Sequence, residues 1–385
     1  MKKLIYFAFA ALLFASCTKA SKEVKITIAN PSDFDRTEEL TAIPLDSLSN
    51  KLALTDSQVY VVKNSAGEVV PSQVTFDRTL IFPSGVKANE TATYAISAGT
   101  YQEFPAKTYA RFIKERKDDF AWENDRVAFR IYGPALVEID GPSNGIDLWY
   151  KRTNNLIIDK WYKDDLAKVA SYHEDRGEGL DDYKVGRTLG AGAMAPFVNG
   201  KLWLNENFAS QELLENGPLR TTFKLTYNSF DVNGKSISEI RIFSLDAGSQ
   251  LTKVTEQLGV SEPTPVAAGI VKREKNDSIL VSPEKDYIVY LEPGEKAGSV
   301  FVGLVFPTPV DSTVINTYEV LNPISKKKET HTHILGLTTY QPNKPVTYYT
   351  GYGWEKFGFP TIADFQKHVA NFSKALKQPL IVTFN

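Results

Sequence analysis

The chain has 385 residues, 42% of them hydrophobic and 12% aromatic, with a formal net charge of −2 at neutral pH. That length supports a sizeable core in one large or two modest domains, and the near-balanced charge excludes the basic field that a nucleic-acid partner needs. The single cysteine, Cys17, excludes an internal disulfide and a cysteine nucleophile, so stability has to come from core burial.

Lys2 and Lys3 precede an apolar run from Leu4 to Ser16, which is too short to span a bilayer and reads as a signal peptide over residues 1–16. Leu13-Phe14-Ala15-Ser16-Cys17 resembles a lipobox, so Cys17 is the expected lipidation site and residues 17–23 a tether. The expected location is therefore a lipid-anchored protein of the outer membrane. The absence of an acidic run after Cys17 favours the periplasmic side.

Residues 24–104 read as a small N-terminal β-sandwich. Val24 to Ile28 alternates apolar and polar residues, and Val59 to Lys63, Asn64 to Gly67 and Glu68 to Val70 read as a hairpin. Gln73 to Phe76, Leu80 to Phe82 and Thr93 to Ile96 add strands, and Leu45 to Leu52 carries the only early helical hint. From 105 to 385 many short strands follow: Arg126 to Tyr132, Phe223 to Tyr227, Ile240 to Ser244, Leu251 to Glu256, Ile279 to Ser282, Tyr287 to Leu291, Ser299 to Phe306, Val314 to Leu321 and His331 to Thr339. That pattern predicts a mainly β fold, a large antiparallel sandwich rather than a βαβ fold. Near the end, Thr361-Ile362-Ala363-Asp364 reads as a capping box with Asp in place of Glu. Phe365, Val369, Phe372 and Leu376 form one helical stripe, with His368 off it. Pro379 stops that helix, and Leu380 to Phe384 reads as a last strand.

The block from Asn144 to Thr226 concentrates polar, titratable and glycine residues between apolar strands, and a catalytic site is expected there. His173, flanked by Glu174, Asp175 and Glu178, is a candidate general acid or base near neutral pH. Tyr183 adds a phenol, and Lys184 and Arg187 add cations suited to a carboxylate, Arg187 in bidentate fashion. His331 and His333, two apart on a strand, point to one side and serve as a second acid/base pair. As metal ligands they lack an identifiable third partner. Trp149, Tyr150 and Trp161 are candidate platforms for sugar rings, and Arg152, Glu178 and Arg220 are candidate substrate-binding residues. No cofactor is expected. A divalent ion such as Ca²⁺ on Glu174, Asp175 and Glu178 is an alternative, but their spacing fits no standard loop. Gly-x-Ser-x-Gly, HExxH, Walker and Rossmann motifs are absent. A glycosidase with two carboxylates drawn from distant strands remains open.

NGIDLWYKRT, YHEDRGEGLDDYKVGRTLGAG, LENGPLRTTF and WENDRVAFRIYGPAL resemble the family described as domain of unknown function 4861. ANPSDFDRTEEL near the start and YTGYGWEKFGFP before the last helix extend the resemblance over nearly the whole mature chain. It implies a lipoprotein or secreted protein of a polysaccharide-degrading bacterium, kin to a dehydratase acting on uronate-containing oligosaccharides in ulvan breakdown. The implied fold is a large β-sandwich of the galactose-mutarotase or polysaccharide-lyase type. The expected function is β-elimination on a uronate-bearing oligosaccharide, by a dehydratase or a lyase. The alternatives are a non-catalytic glycan-binding lipoprotein and a glycoside hydrolase. The catalytic set comes from residue chemistry and not from the resemblance.

Overall fold

The computed structural model describes residues 23–273, 276–294 and 297–385. Cys17 and the leader before it lie outside the described residues. Among the described residues, no helix is long and apolar enough to cross a membrane.

Alternation drives the N-terminal region as expected. Val24, Ile26 and Ile28 point inward from the strand Glu23–Ala29 and are buried. This strand pairs antiparallel with Thr91–Gly99 on one side and with the final strand Ile381–Phe384 on the other. Val59–Lys63 completes a four-stranded sheet, and Leu40–Pro44, Thr79–Pro83 and Gln73–Val74 form a three-stranded one. Between them lies a core that includes Ile26, Val62, Phe82 and Ile96. The chain end is thus built into the sheet that the chain start begins, since Val382 and Phe384 pack on that same core.

The rest is a large antiparallel sandwich. An eight-stranded sheet runs in the order Ser210–Asn216, Arg220–Val232, Lys235–Asp246, Leu251–Leu258, Val346–Trp354, Val300–Val305, Tyr287–Glu292, Ser278–Val281. Two five-stranded sheets complete the sandwich. One contains Thr108–Ile113, Asp119–Asn124, Ala128–Ile131, Asp147–Lys151 and Gly179–Leu180; the other contains Ala191–Val198, Lys201–Leu202, Thr264–Lys272, Ser312–Leu321 and Lys328–Tyr340. A parallel bridge between Ile146 and Gly190 links them. Side chains from all three sheets share one core, with Phe120, Trp122, Phe223 and Phe243 in mutual ring contact. This is the mainly β architecture, with a small N-terminal β region and a C-terminal helix, that the strand pattern predicts.

The helix Ile362–Lys377 covers another face of the eight-stranded sheet, where Phe365 and Val369 pack with Val289, Phe301 and Val305. Its capping box is complete. The Thr361 hydroxyl accepts from the Asp364 N–H at 3.2 Å, and the Asp364 carboxylate accepts from the Thr361 N–H at 3.1 Å. At the other end Asp286 accepts from Ser373 at 2.6 Å and from Lys377 at 2.5 Å. Thr361→Ala removes the hydroxyl's bond from the Asp364 N–H and its own donation to the Asp364 carboxylate at 2.7 Å, and is expected to cost about 1 kcal/mol. A urea midpoint equal to wild type would contradict that role for the cap.

Candidate active site

The central block does not close on itself. Its backbone first passes under Tyr150, where Gly179 pairs with Lys151. A Cβ at Gly179 would lie 1.8 Å from the Tyr150 carbonyl, and φ there is +124°. Only glycine fits so close an approach. Asp181 then turns inward, and the two ends of the block separate.

The inward point is Arg130, a residue that motif reading passes over. Its guanidinium is 2% exposed and donates to Asp147 at 2.8 Å, to Asp181 at 2.7 Å and to the Tyr132 hydroxyl at 3.0 Å. The rings of Tyr132, Trp149 and Tyr172 surround it at 4.7, 5.2 and 5.7 Å. One buried cation thus serves two buried carboxylates, an arrangement that fixes geometry rather than offering chemistry to solvent.

At one end of the block, His173 is 60% exposed by side chain, with Nδ1 2.8 Å from the Asp181 carbonyl and 3.7 Å from its carboxylate. Its ring touches Tyr172. The acids around it are occupied: Glu174 with Arg176 at 3.2 Å, Asp175 with Arg152 at 3.0 Å and Glu178 with Lys160 at 2.5 Å. Among the described residues no group of three or more His, Cys, Asp or Glu is arranged to hold a metal ion. Trp161 lies on the helix Ile158–Leu166, whose first N–H groups, those of Ile157 and Ile158, donate to Glu123 at 2.7 and 2.8 Å. Trp161 stacks on Trp149 at 5.3 Å. Trp149 and Tyr150 are 0% and 2% exposed, so neither presents a face to a sugar ring; both are core.

At the other end, Tyr183 is buried, and its hydroxyl has no hydrogen-bond partner. The Arg273 guanidinium lies over its ring at 5.4 Å. Arg273 is held by Glu292 at 2.7 Å, and it donates to the Lys184 carbonyl at 2.6 Å. Its own N–H donates to the Tyr290 hydroxyl, which in turn donates to Asp277 at 3.1 Å. Burial, together with the carboxylate of Glu292, pushes the Tyr183 phenol well above its ordinary pKa, so it is a proton holder. Burial likewise raises Glu292, against the pull of Arg273.

His331 borders the same cluster. A Cβ built on Gly186, whose φ is +62°, lies 3.8 Å from the His331 ring, which places the 183–186 turn beside it. Burial, opposed by Glu329 and aided by the positive charge of Arg273, lowers the His331 pKa and keeps the imidazole neutral at neutral pH. Glu329 lies 3.3 Å from Nε2, too poorly aligned to count as a hydrogen bond. Arg273 is the group common to both residues: its guanidinium lies over the Tyr183 ring, and its charge helps lower the His331 pKa. The polar and ring contacts of His173 are with Asp181 and Tyr172.

Two expected groups hold structure instead. The Arg187 guanidinium donates to the carbonyls of Leu204 and Asn205 and meets no carboxylate at hydrogen-bond distance. His333 is fully buried, stacks on Tyr318 at 5.5 Å and accepts the Leu189 N–H through Nε2 at 3.0 Å. Arg220 lies elsewhere, in a bidentate pair with Asp246 at 2.5 and 2.9 Å.

Burial lowers the His333 pKa to about 3, against an ordinary value near 6.5. The unfolded chain takes up this proton first as pH falls. His333 therefore contributes full stability above about pH 6.5 and loses it progressively down to about pH 3, at roughly 1.4 kcal/mol per pH unit. Urea unfolding of His333→Gln is expected to show a flatter loss of stability than wild type between these limits. An unchanged slope would contradict the assignment.

The family model for a domain of unknown function, DUF4861, matches residues 28–382. The chain belongs to the DUF4861 family. A relative from Formosa agariphila, described as uncharacterized protein P7, is 30% identical over 99% of this chain and 98% of its own length. Among solved structures, a protein of glycosyl hydrolase family 38 from Enterococcus faecalis matches with TM-score 0.49 and 9% identity, over 95% of this chain and 48% of its own. An α-mannosidase from Enterococcus faecalis V583 matches with TM-score 0.47 and 9% identity, over 95% of this chain and 46% of its own. The DUF4861 chain thus spans about half the length of those two enzymes, and a likeness of that degree carries no chemistry across.

Proposed function

We propose that this DUF4861 protein is a carbohydrate-active enzyme that acts on uronate-bearing oligosaccharides by β-elimination, as a dehydratase or a lyase. The observation that carries the reading is the unpartnered Tyr183 hydroxyl beneath Arg273, whose charge also acts on a neutral His331. A uronate carboxylate exchanges for the Lys184 carbonyl on Arg273, which neutralises the carboxylate and acidifies the carbon next to it. His331 removes that proton, and the C–H electron pair becomes a double bond conjugated to the carboxylate as the bond from the next carbon to its oxygen breaks. Tyr183 gives its proton to the departing oxygen, which leaves as water or as a sugar hydroxyl. At neutral pH the phenol starts protonated and the imidazole neutral, the states from which these acid and base steps begin. Glu292 holds the Arg273 fork in place, and the exposed Lys184 ammonium supplies the further positive charge that a uronate needs beside this paired arginine.

Mass spectrometry on saturated and unsaturated uronate oligosaccharides tests the reading. It expects loss of water, or cleavage, with new near-ultraviolet absorbance. A cleaved product that has gained water would make it a hydrolase, and no mass change across the panel would make it a glycan-binding protein. We also propose a lipid anchor at Cys17 on the periplasmic side of the outer membrane; Cys17→Ser is expected to move the protein from the membrane to the soluble fraction, and retention would contradict the anchor.

A further inference from the structure

A cavity of about 630 Å³ opens apart from the Tyr183–Arg273 cluster. It opens between the sheet strands Arg220–Val232, Lys235–Asp246, Leu251–Leu258 and Val346–Trp354, the 34–40 segment of the N-terminal region, and the helix Ile362–Lys377. Its size is that of a small-molecule site. Tyr183, Arg273, Glu292 and His331 are not among its lining residues.

The lining has a consistent chemistry. Hydroxyls rise from neighbouring strands: Thr222 and Ser244 are 2.6 Å apart and in mutual hydrogen bond, and Thr255 bonds Thr347 at 3.2 Å. The Arg220–Asp246 pair presents fixed donors and acceptors side by side. Tyr349 and Phe372 meet edge to face at 5.0 Å, and Phe76, 50% exposed, stands at the rim. Two polar atoms of the lining are buried without a partner, the side-chain oxygen of Gln250 and Nε2 of His368. Buried polar groups are ordinarily hydrogen-bonded, so such orphans mark a place for a ligand's own polar groups.

Charge selects the ligand class. The carboxylates of Asp35, Glu38, Glu39, Asp77 and Asp246 line the cavity against the cations of Arg36, Arg220 and Lys253. Arg36 and Arg220 are already paired with Glu39 and Asp246. The excess of carboxylate disfavours an anion, whereas hydroxyls, paired charges and aromatic walls suit a neutral polyol ring.

We propose that this cavity binds a neutral mono- or disaccharide unit at a site separate from the Tyr183–Arg273 cluster. The proposal stands whatever reaction that cluster runs. Its test is isothermal titration calorimetry of the full chain with neutral mono- and disaccharides and with their uronate counterparts. Gln250→Met keeps the volume and removes the orphaned oxygen, and Phe76→Ala trims the exposed rim without touching the core. Each is expected to weaken neutral-sugar binding about tenfold or more, while Tyr183→Phe leaves it unchanged. The proposal is overturned if no neutral sugar binds, if binding survives both substitutions, if uronates bind this site more tightly, or if Tyr183→Phe abolishes binding.

Discussion

Tyr183→Phe is expected to abolish turnover of uronate oligosaccharides, by roughly a hundredfold to ten-thousandfold in kcat, while leaving the protein at least as stable as wild type. The two halves of the prediction arise from the same atom. The hydroxyl is buried and makes no hydrogen bond, so folding gains nothing from it, and removing an unsatisfied polar group relieves a desolvation cost of about 1–3 kcal/mol. The ring, which fills its place in the core under Arg273, is retained. A merely structural tyrosine predicts the opposite pattern, with activity preserved and stability reduced. Steady-state kinetics paired with urea unfolding of the same preparation separates the two. Full activity in the variant would remove Tyr183 from the mechanism.

Arg130→Met is expected to be the most damaging single change to stability, at roughly 3–5 kcal/mol. The substitution keeps much of the side-chain length among Tyr132, Trp149 and Tyr172 but removes the cation that Asp147 and Asp181 share. Both carboxylates are buried, and neither has another lysine or arginine at salt-bridge distance among the described residues. The cost comes from leaving these charges unpaired, not from the net worth of the triad. Replacing both aspartates as well, as Arg130→Met with Asp147→Leu and Asp181→Leu, is therefore expected to recover much of the loss. Chemical denaturation of the single and triple variants checks this; a single variant within about 1 kcal/mol of wild type would contradict it.

The contrast between these two residues reflects what the sequence could and could not disclose. Tyr183 stands in a run dense with titratable residues and glycine and was visible as a candidate. Arg130 sits between Phe129 and Ile131, where an arginine reads as the solvent face of an alternating strand, and Arg273 follows the strand Thr264–Lys272 in the charged run Lys272-Arg273-Glu274-Lys275, which reads as a solvated surface. Alternation also explains which strands were legible. Lys235–Asp246 and Glu23–Ala29 bury every second residue and are plain from the pattern. Asp119–Asn124, Asp147–Lys151 and Ala191–Val198 are buried on both sides over most of their length, so they carry no period of two. The helix Ile158–Leu166 escaped for another reason. Glu123, distant in sequence, accepts the N–H groups at its start, a task that a local cap ordinarily performs. The C-terminal helix, with its own capping box and apolar stripe, was readable throughout. His173 and Tyr183 are ten positions apart, and sequence proximity reads them as one site; in the structure Asp181 turns inward onto Arg130, His173 stays exposed against the Asp181 carbonyl, and Tyr183 is buried under Arg273.

The measurement that bears most directly on the central claim is the fate of the hydrogen on the carbon next to the uronate carboxylate. Oligosaccharides deuterated at that carbon, incubated with the wild-type chain in ordinary water, are followed by mass spectrometry. Elimination predicts an unsaturated product that has lost the deuteron, with a slower rate than the protonated substrate wherever proton removal limits turnover, and no such product from Tyr183→Phe. A saturated product that has gained water and kept its deuteron would contradict the elimination chemistry assigned to His331, Tyr183 and Arg273.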